Sequence, residues 1–205
     1  QKQASEIAKL NDMLDSVIQQ RTAIVEPIRK RLMEEFKNGD QPQVEVPQPL
    51  HNWNFQEGDD VLTDTVNGLR LSLQNGALLE DGALTLQGGN AYAHSGQLSK
   101  DVAEKTLSVV VQLDNLDQRG GGVINIQTTN GIIFDAIVYG ERDARLWMPG
   151  SNGFARTERV AGPAENDALT QPVHLAITYK QDGSIAMFRN GEPYGKPYVS
   201  SGLQT

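Results

Sequence analysis

The sequence predicts a mainly β protein, a sandwich of antiparallel sheets preceded by an α-helical arm. Three observations carry the prediction. The stretch from Glu104 to Glu141 holds three strand-like runs, residues 107–113, 122–128 and 132–139, joined by loops of Asp, Asn, Gln and Gly. Short strands between polar, Gly-rich turns mark a sandwich. Turn dipeptides recur through the rest of the chain: Asn75-Gly76, Asp81-Gly82, Gly88-Gly89, Asn130-Gly131, Asp182-Gly183 and Asn190-Gly191. They supply the positive φ values that tight hairpins need. Upstream of all this, residues 5–37 change to a helical period.

In that first segment Ile7, Leu10, Leu14, Val17, Ile24 and Ile28 follow three- and four-residue steps, which places them on one stripe, as in a coiled coil. Arg21 falls on the stripe and interrupts it. Pro27 lacks an amide donor and is expected to kink or break the helix near Glu26. Leu32 and Phe36 continue the apolar face, and Asn38-Gly39 is a stop signal. One amphipathic helix cannot bury its stripe alone, so the arm is expected to dock on the sandwich, on another copy, or on sequence upstream. The arm is assigned to residues 1–38.

Residues 39–49 carry Pro42, Pro47 and Pro49 and read as a semi-rigid, extended linker. The sandwich is assigned to residues 50–205. Its strands are expected at Trp53-Asn54-Phe55 and at residues 69–73, 77–79, 83–86, 91–93, 107–113, 123–127, 132–139, 145–148, 173–179 and 184–189. No internal repeat is visible.

Composition narrows the function. The chain has 205 residues, of which 38% are apolar, and a formal net charge of −8. An acidic chain lacks the basic face that nucleic acid requires. No apolar run approaches the ~20 residues needed for a membrane span. Without cysteine there is no disulfide, thiolate catalysis, Cys-ligated zinc or covalent c-type haem within the chain. The chain opens with Gln1-Lys2-Gln3, in mid-helix and without an initiator Met or signal peptide, so it reads as a piece of a longer protein.

Several motifs resemble a known family. Trp53-Asn54-Phe55, Asp81-Gly-Ala-Leu-Thr-Leu86, Glu104-Lys-Thr-Leu107, Val173-His-Leu-Ala-Ile-Thr-Tyr179, Asp182-Gly-Ser-Ile185 and Arg189-Asn-Gly191 resemble the LamG-like jelly roll of the concanavalin A-like lectin/glucanase superfamily. A longer set looks like one subgroup: Asp114-Asn-Leu-Asp-Gln-Arg-Gly-Gly-Gly122, Phe134-Asp-Ala-Ile-Val-Tyr-Gly-Glu-Arg142, Trp147, Gly150-Ser151, Arg156-Thr157 and Pro193-Tyr-Gly195. That subgroup comprises LamG-like domains of large exported planctomycete proteins that also carry cytochrome c, often with a helical segment before the sandwich. The resemblance covers about residues 50–205. It implies an exported protein, periplasmic or on the cell surface, whose haem lies in other parts of the parent. Such sandwiches usually end in further strands, whereas this sequence stops at Ser201-Gly-Leu-Gln-Thr205. The last strands are therefore expected from a C-terminal companion segment that covers an otherwise exposed sheet edge.

The side chains point to three chemistries. Glu141 and Asp143 have part of the spacing of a laminarinase-like strand motif, but Leu146 stands where the second Glu is needed, and retaining hydrolysis requires two carboxyls. Asp114, Asn115, Asp117 and Gln118 offer oxygen ligands in one loop, with Asp135 able to reach them from a neighbouring strand. Calcium prefers such hard oxygens, and family members often carry it. The same loop could instead close its own turns. Trp147, Tyr139 and Phe154 lie near a polar loop containing Arg142, Asn152 and Arg156. Aromatic faces beside amide and guanidinium donors suit a sugar, although Trp147 is equally suited to the core. Asp135, flanked by apolar residues, needs a partner if buried, with Arg142, Arg145 or Arg156 available. Gly120-Gly121-Gly122 lacks a following Lys-Ser/Thr and is no phosphate loop. His174 is expected to make a structural hydrogen bond, and His51 and His94 lack a metal-ligand spacing.

The sequence thus predicts a non-catalytic module that recognises a glycan or an envelope protein. Calcium is the one cofactor this loop could hold. The alternative is a scaffold that positions neighbouring haem and catalytic domains of the parent.

Overall fold

A computed structural model describes residues 2–37, 47–56 and 60–201. The chain divides into two compact units, Gln1–Gly68 and Leu69–Thr205.

In the first unit, helix α1 spans Lys2–Lys37. It continues through Pro27, so of the expected kink or break the break does not occur. Proline removes one helical hydrogen bond and crowds the preceding turn, but strong helix formers such as Arg29, Lys30, Arg31 and Glu34 follow it and carry the helix on. The stripe of Ile7, Leu10, Leu14, Val17, Ile24 and Ile28 is exposed. No described helix is long and apolar enough to cross a membrane. The Leu32 and Phe36 side chains, the Asn38-Gly39 stop, linker residues 40–46 and residues 202–205 lie outside the described residues.

Trp53-Asn54-Phe55 forms no strand. This segment is organised by Asp64 instead, whose carboxylate accepts the amides of Asn52 (2.6 Å), Val66 (3.0 Å) and Asn67 (2.8 Å). One buried carboxylate so closes the 64–67 turn and ties it to residue 52.

The second unit is mainly β. Its strands are β1 Leu71–Gln74, β2 Leu78–Glu80, β3 Ala83–Thr85, β4 Tyr92–Ser95, β5 Lys105–Val111, β6 Gly121–Gln127, β7 Phe134–Tyr139, β8 Trp147–Ser151, β9 Val173–Tyr179, β10 Ser184–Arg189, β11 Glu192–Pro193 and β12 Tyr198–Val199. All pairings are antiparallel. Two small sheets pair β1 with β4 and β2 with β3. The larger sheets have the orders β11-β10-β9-β5, with β12 also on β10, and β6-β7-β8. Among the described residues no sheet closes on itself.

The turn chemistry acts as expected. Asp81-Gly82 joins β2 to β3 and Asn190-Gly191 joins β10 to β11, both residues of each pair having positive φ. That is the two-residue hairpin loop whose twist matches the strands. Pro193 sits in an edge strand, where its missing donor costs no ladder bond.

The two larger sheets share one core. Along β9, Val173, Leu175, Ile177 and Tyr179 are buried while the residues between them are half-exposed. The register sets Leu107 of β5 and Met187 of β10 on either side of Ile177, so three strands present one apolar row. Ile137, Tyr139 and Trp147 bring the second sheet into the same cluster. Strands β7 and β8 are buried on both faces. Ala136, Val138 and Met148 form a smaller second cluster, and any side chain at Gly150 would strike Val138.

Candidate functional site

The loop that follows β8 gathers most of the predicted binding residues. Ser151 ends the strand, and its hydroxyl accepts the Arg156 amide (2.9 Å) and bonds the Thr157 hydroxyl (2.9 Å). The four residues between Ser151 and Arg156 make a tight excursion, with one 3-10 turn at Asn152–Phe154. The loop is anchored from below by buried Arg156. Its Nε donates to Asp135 Oδ1 (2.6 Å), and its Nη2 to the Phe134 carbonyl (2.6 Å) and to Asn152 Oδ1 (3.2 Å). Lys105, reaching in from β5, holds the other Asp135 oxygen at 2.8 Å. The Tyr198 hydroxyl donates to the Arg156 carbonyl (2.6 Å). Burial pushes this phenol up to about 12, so it remains a donor.

At the tip of the loop Gly153 and Phe154 both have left-handed backbone, φ 55° and 59°. For a bulky residue this is an outlier. Phe154 is 46% exposed. The Arg142 guanidinium lies 5.3 Å from its ring centroid, and its Nη1 donates to the Thr157 carbonyl at 3.5 Å. Arg142 and Phe154 therefore meet at the surface, and half-buried Asn152 lies in the same turn.

Trp147 and Tyr139 do not belong to this surface, which corrects the expectation that they bind a ligand. Both are fully buried and pack at 4.7 Å between ring centroids. β8 is covered on both faces, so an indole there has no route to solvent. Its N–H is satisfied by Glu165 (2.6 Å), and the Tyr139 hydroxyl donates to the Leu116 carbonyl (2.8 Å). Arg156 is likewise corrected from contact residue to buried anchor.

Calcium is corrected in the same way. Asn115 Oδ1 is engaged by the Asp117 amide (2.7 Å), closing a turn. Asp114 and Asp117 point to solvent, with Asp117 3.8 Å from Arg145. Asp135 is buried elsewhere between two cations. These oxygens do not converge, and among the described residues no group of three or more His, Asp or Glu is placed to hold a metal. Glu141 and Asp143 lie in the turn between β7 and β8 rather than on a strand, and Asp143 pairs with Arg159 at 2.8 Å.

Two charged centres escape sequence reasoning. Glu165 is 1% exposed and accepts five hydrogen bonds: from Trp147, from Arg189 through Nε (2.9 Å) and Nη2 (2.9 Å), and from the amides of Asp167 (2.8 Å) and Ala168 (3.1 Å). Burial opposes its ionisation, but the Arg189 bonds, the indole and the amides outweigh burial and bring the carboxyl to about 2. Arg189 also reaches Asp167 (2.7 Å).

The second centre joins His51 to Asp64, Nδ1 to Oδ2 at 2.8 Å, with the imidazole stacked on Trp53 at 5.7 Å. Burial again opposes ionisation of Asp64, and the Asn52 amide, His51 and the Val66 and Asn67 amides overcome it, holding the carboxyl far below its ordinary range. Among the described residues His51 Nε2 is buried without a hydrogen-bond partner. His174 does make a bond within the fold, to the Ser108 hydroxyl across β9 and β5 (2.8 Å).

Comparison with known protein families, with characterised proteins and with solved structures finds no match.

Proposed function

We propose that this chain is a non-catalytic recognition module. In this reading it is a jelly-roll sandwich of LamG-like type within a larger exported protein, and it binds a glycan or an envelope protein through the Phe154 loop. The observation that supports this most is the backbone of Phe154. An L-residue in the left-handed region costs about 1–2 kcal/mol, and such strain persists only where its surroundings enforce it. Here Arg156, Asp135, Ser151 and Tyr198 enforce it, and the ring they hold is left at the surface. An aromatic face stacks on the apolar side of a sugar or on a peptide side chain. The Arg142 guanidinium and the Asn152 amide beside it donate to hydroxyls or carbonyls. Glu165 and Asp135 have their oxygens engaged inside the fold, and Asp143 is paired, which leaves the glucanase-type reading without its second carboxyl.

The scaffold reading is second, and the exposed stripe of α1 favours it. The test is a glycan array and an envelope-protein overlay, with calcium and again with chelator, on the wild type and on Phe154→Ala and Arg142→Ala. The expected result is binding that survives chelation and is lost in both variants. Binding that vanishes on chelation would return the site to residues 114–118. No binding by folded protein would leave the scaffold reading.

A further inference from the structure

The Phe154 loop stands on two supports of unequal strength. From below, Arg156 is held to Asp135, and Asp135 lies in β7, the central strand between β6 and β8. The other support comes from residues 194–198. Residues 157–163 belong to no helix or strand, so their backbone groups need partners from elsewhere. They find them in this second segment, which runs alongside in the opposite sense. The Tyr194 hydroxyl donates to the Pro163 carbonyl (2.6 Å) and the Lys196 amide to the Val160 carbonyl (2.6 Å). The Tyr198 hydroxyl donates to the Arg156 carbonyl (2.6 Å), and its oxygen accepts the Glu158 amide (3.3 Å).

Tyr198 is carried by β12, a strand of two residues. Among the described residues β12 pairs with β10 alone, at Ser184 and Ile185, and the Ser200 amide adds one bond to the Gly183 carbonyl (2.9 Å). Val199 is 67% exposed. An element with so few ladder bonds and so little buried side chain opens locally far more readily than a central strand. When β12 opens, the Tyr198 hydroxyl leaves the Arg156 carbonyl and the Glu158 amide together. The left-handed backbone at Gly153 and Phe154 then loses part of what enforces it. We infer that β12 controls the Phe154 loop. The two form one cooperative unit, joined through the Tyr198 hydroxyl, so whatever pairs or releases β12 sets whether Phe154 is presented. Coupling is reciprocal, and a ligand on Phe154 tightens β12 in turn. As regulation of recognition, this rests on the reading of Phe154 as the contact residue.

The experiment is amide hydrogen exchange on the whole chain, resolved by residue, and it needs no ligand. Val199→Gly weakens β12 at an exposed position without touching the loop. It should speed exchange at Ser200 and, by the same factor of roughly three, at Arg156 and Thr157. Tyr198→Phe should speed Arg156 and Thr157 roughly tenfold. Protection across β7 should be unchanged in both, which shows that the variants are folded. The pair together decides the route: in the Tyr198→Phe background, adding Val199→Gly should speed Ser200 and no longer Arg156 or Thr157. Exchange at Arg156 and Thr157 that ignores Val199→Gly in the otherwise native chain overturns the proposal, as does an undiminished response without the hydroxyl. The glycan array on the same proteins separates the two readings. Coupled exchange with a blank array strikes glycan recognition and leaves the coupling; uncoupled exchange with array binding does the reverse.

Discussion

Replacing Glu165 by Gln isolates the charge at the centre of the second unit. The shape is kept and an acceptor oxygen remains for the indole or the amides, but an NH2 group is now set against the Arg189 guanidinium. Removing one member of a buried pair costs about 3–5 kcal/mol because the other is stranded. Arg189 keeps 20% of its side chain in solvent, which lowers that figure. A second route agrees. The carboxyl falls from 4.5 to about 2 on folding, which corresponds to roughly 3 kcal/mol of stability at neutral pH. The folded protein binds this proton more weakly than the unfolded chain. The contribution is therefore complete above about pH 4.5 and is lost as the pH falls toward about 2. Urea unfolding followed by Trp147 emission, in a Trp53→Phe background, reads the second unit. At pH 7 the variant should be less stable by about 2–3 kcal/mol. The gap should narrow steadily between pH 4.5 and 2, because only the wild type has this proton to gain, and other carboxylates titrate equally in both proteins. A loss below about 1 kcal/mol, the size of an exposed pair, or a gap that does not change with pH, would refute the assignment of Glu165 as a charged hub.

Gly195→Ala should destabilise by more than about 3 kcal/mol in chemical denaturation, since a Cβ there would strike the Val160 carbonyl at a backbone φ of 72°. Gly191→Ala, at φ 81° but in open space, should cost only about 1 kcal/mol, and equal losses would contradict the packing around Gly195. Millimolar calcium or its removal with chelator should leave the thermal midpoint within about 1 °C. A preferential ligand at a hundred times its dissociation constant would add about 2.7 kcal/mol, so a clear rise would show that residues 114–118 do gather around an ion.

What was legible in the sequence was local. Val173–Tyr179 and Ser184–Arg189 have the predicted limits, because strict alternation and the Asp-Gly and Asn-Gly turns are written within a few neighbouring residues. The two-residue strands β11 and β12 are too short to show a period. Trp53-Asn54-Phe55 has the alternation without a partner strand, and alternation alone does not make a ladder. WMPGS in β8 gave a misleading reading for the opposite reason. A strand buried on both faces has no polar side to alternate with, so Trp147 carried no sign of which way it faced. The ion pairs were illegible because topology makes them. Asp135 needed a cation, and the sequence offered three arginines. The sheets select Arg156 and add Lys105 from β5, thirty residues upstream. Glu165 lies in a stretch without a period, and its partner Arg189 is 24 residues away in β10. At Asp135 and at Glu165 a buried carboxylate is met by a cation from a distant strand, because burying it alone would cost several kcal/mol. Asp135, which suggested a metal ligand in the sequence, therefore serves the fold. Among the described residues Phe154 and Arg142 stay exposed beside one another, as does the apolar stripe of α1.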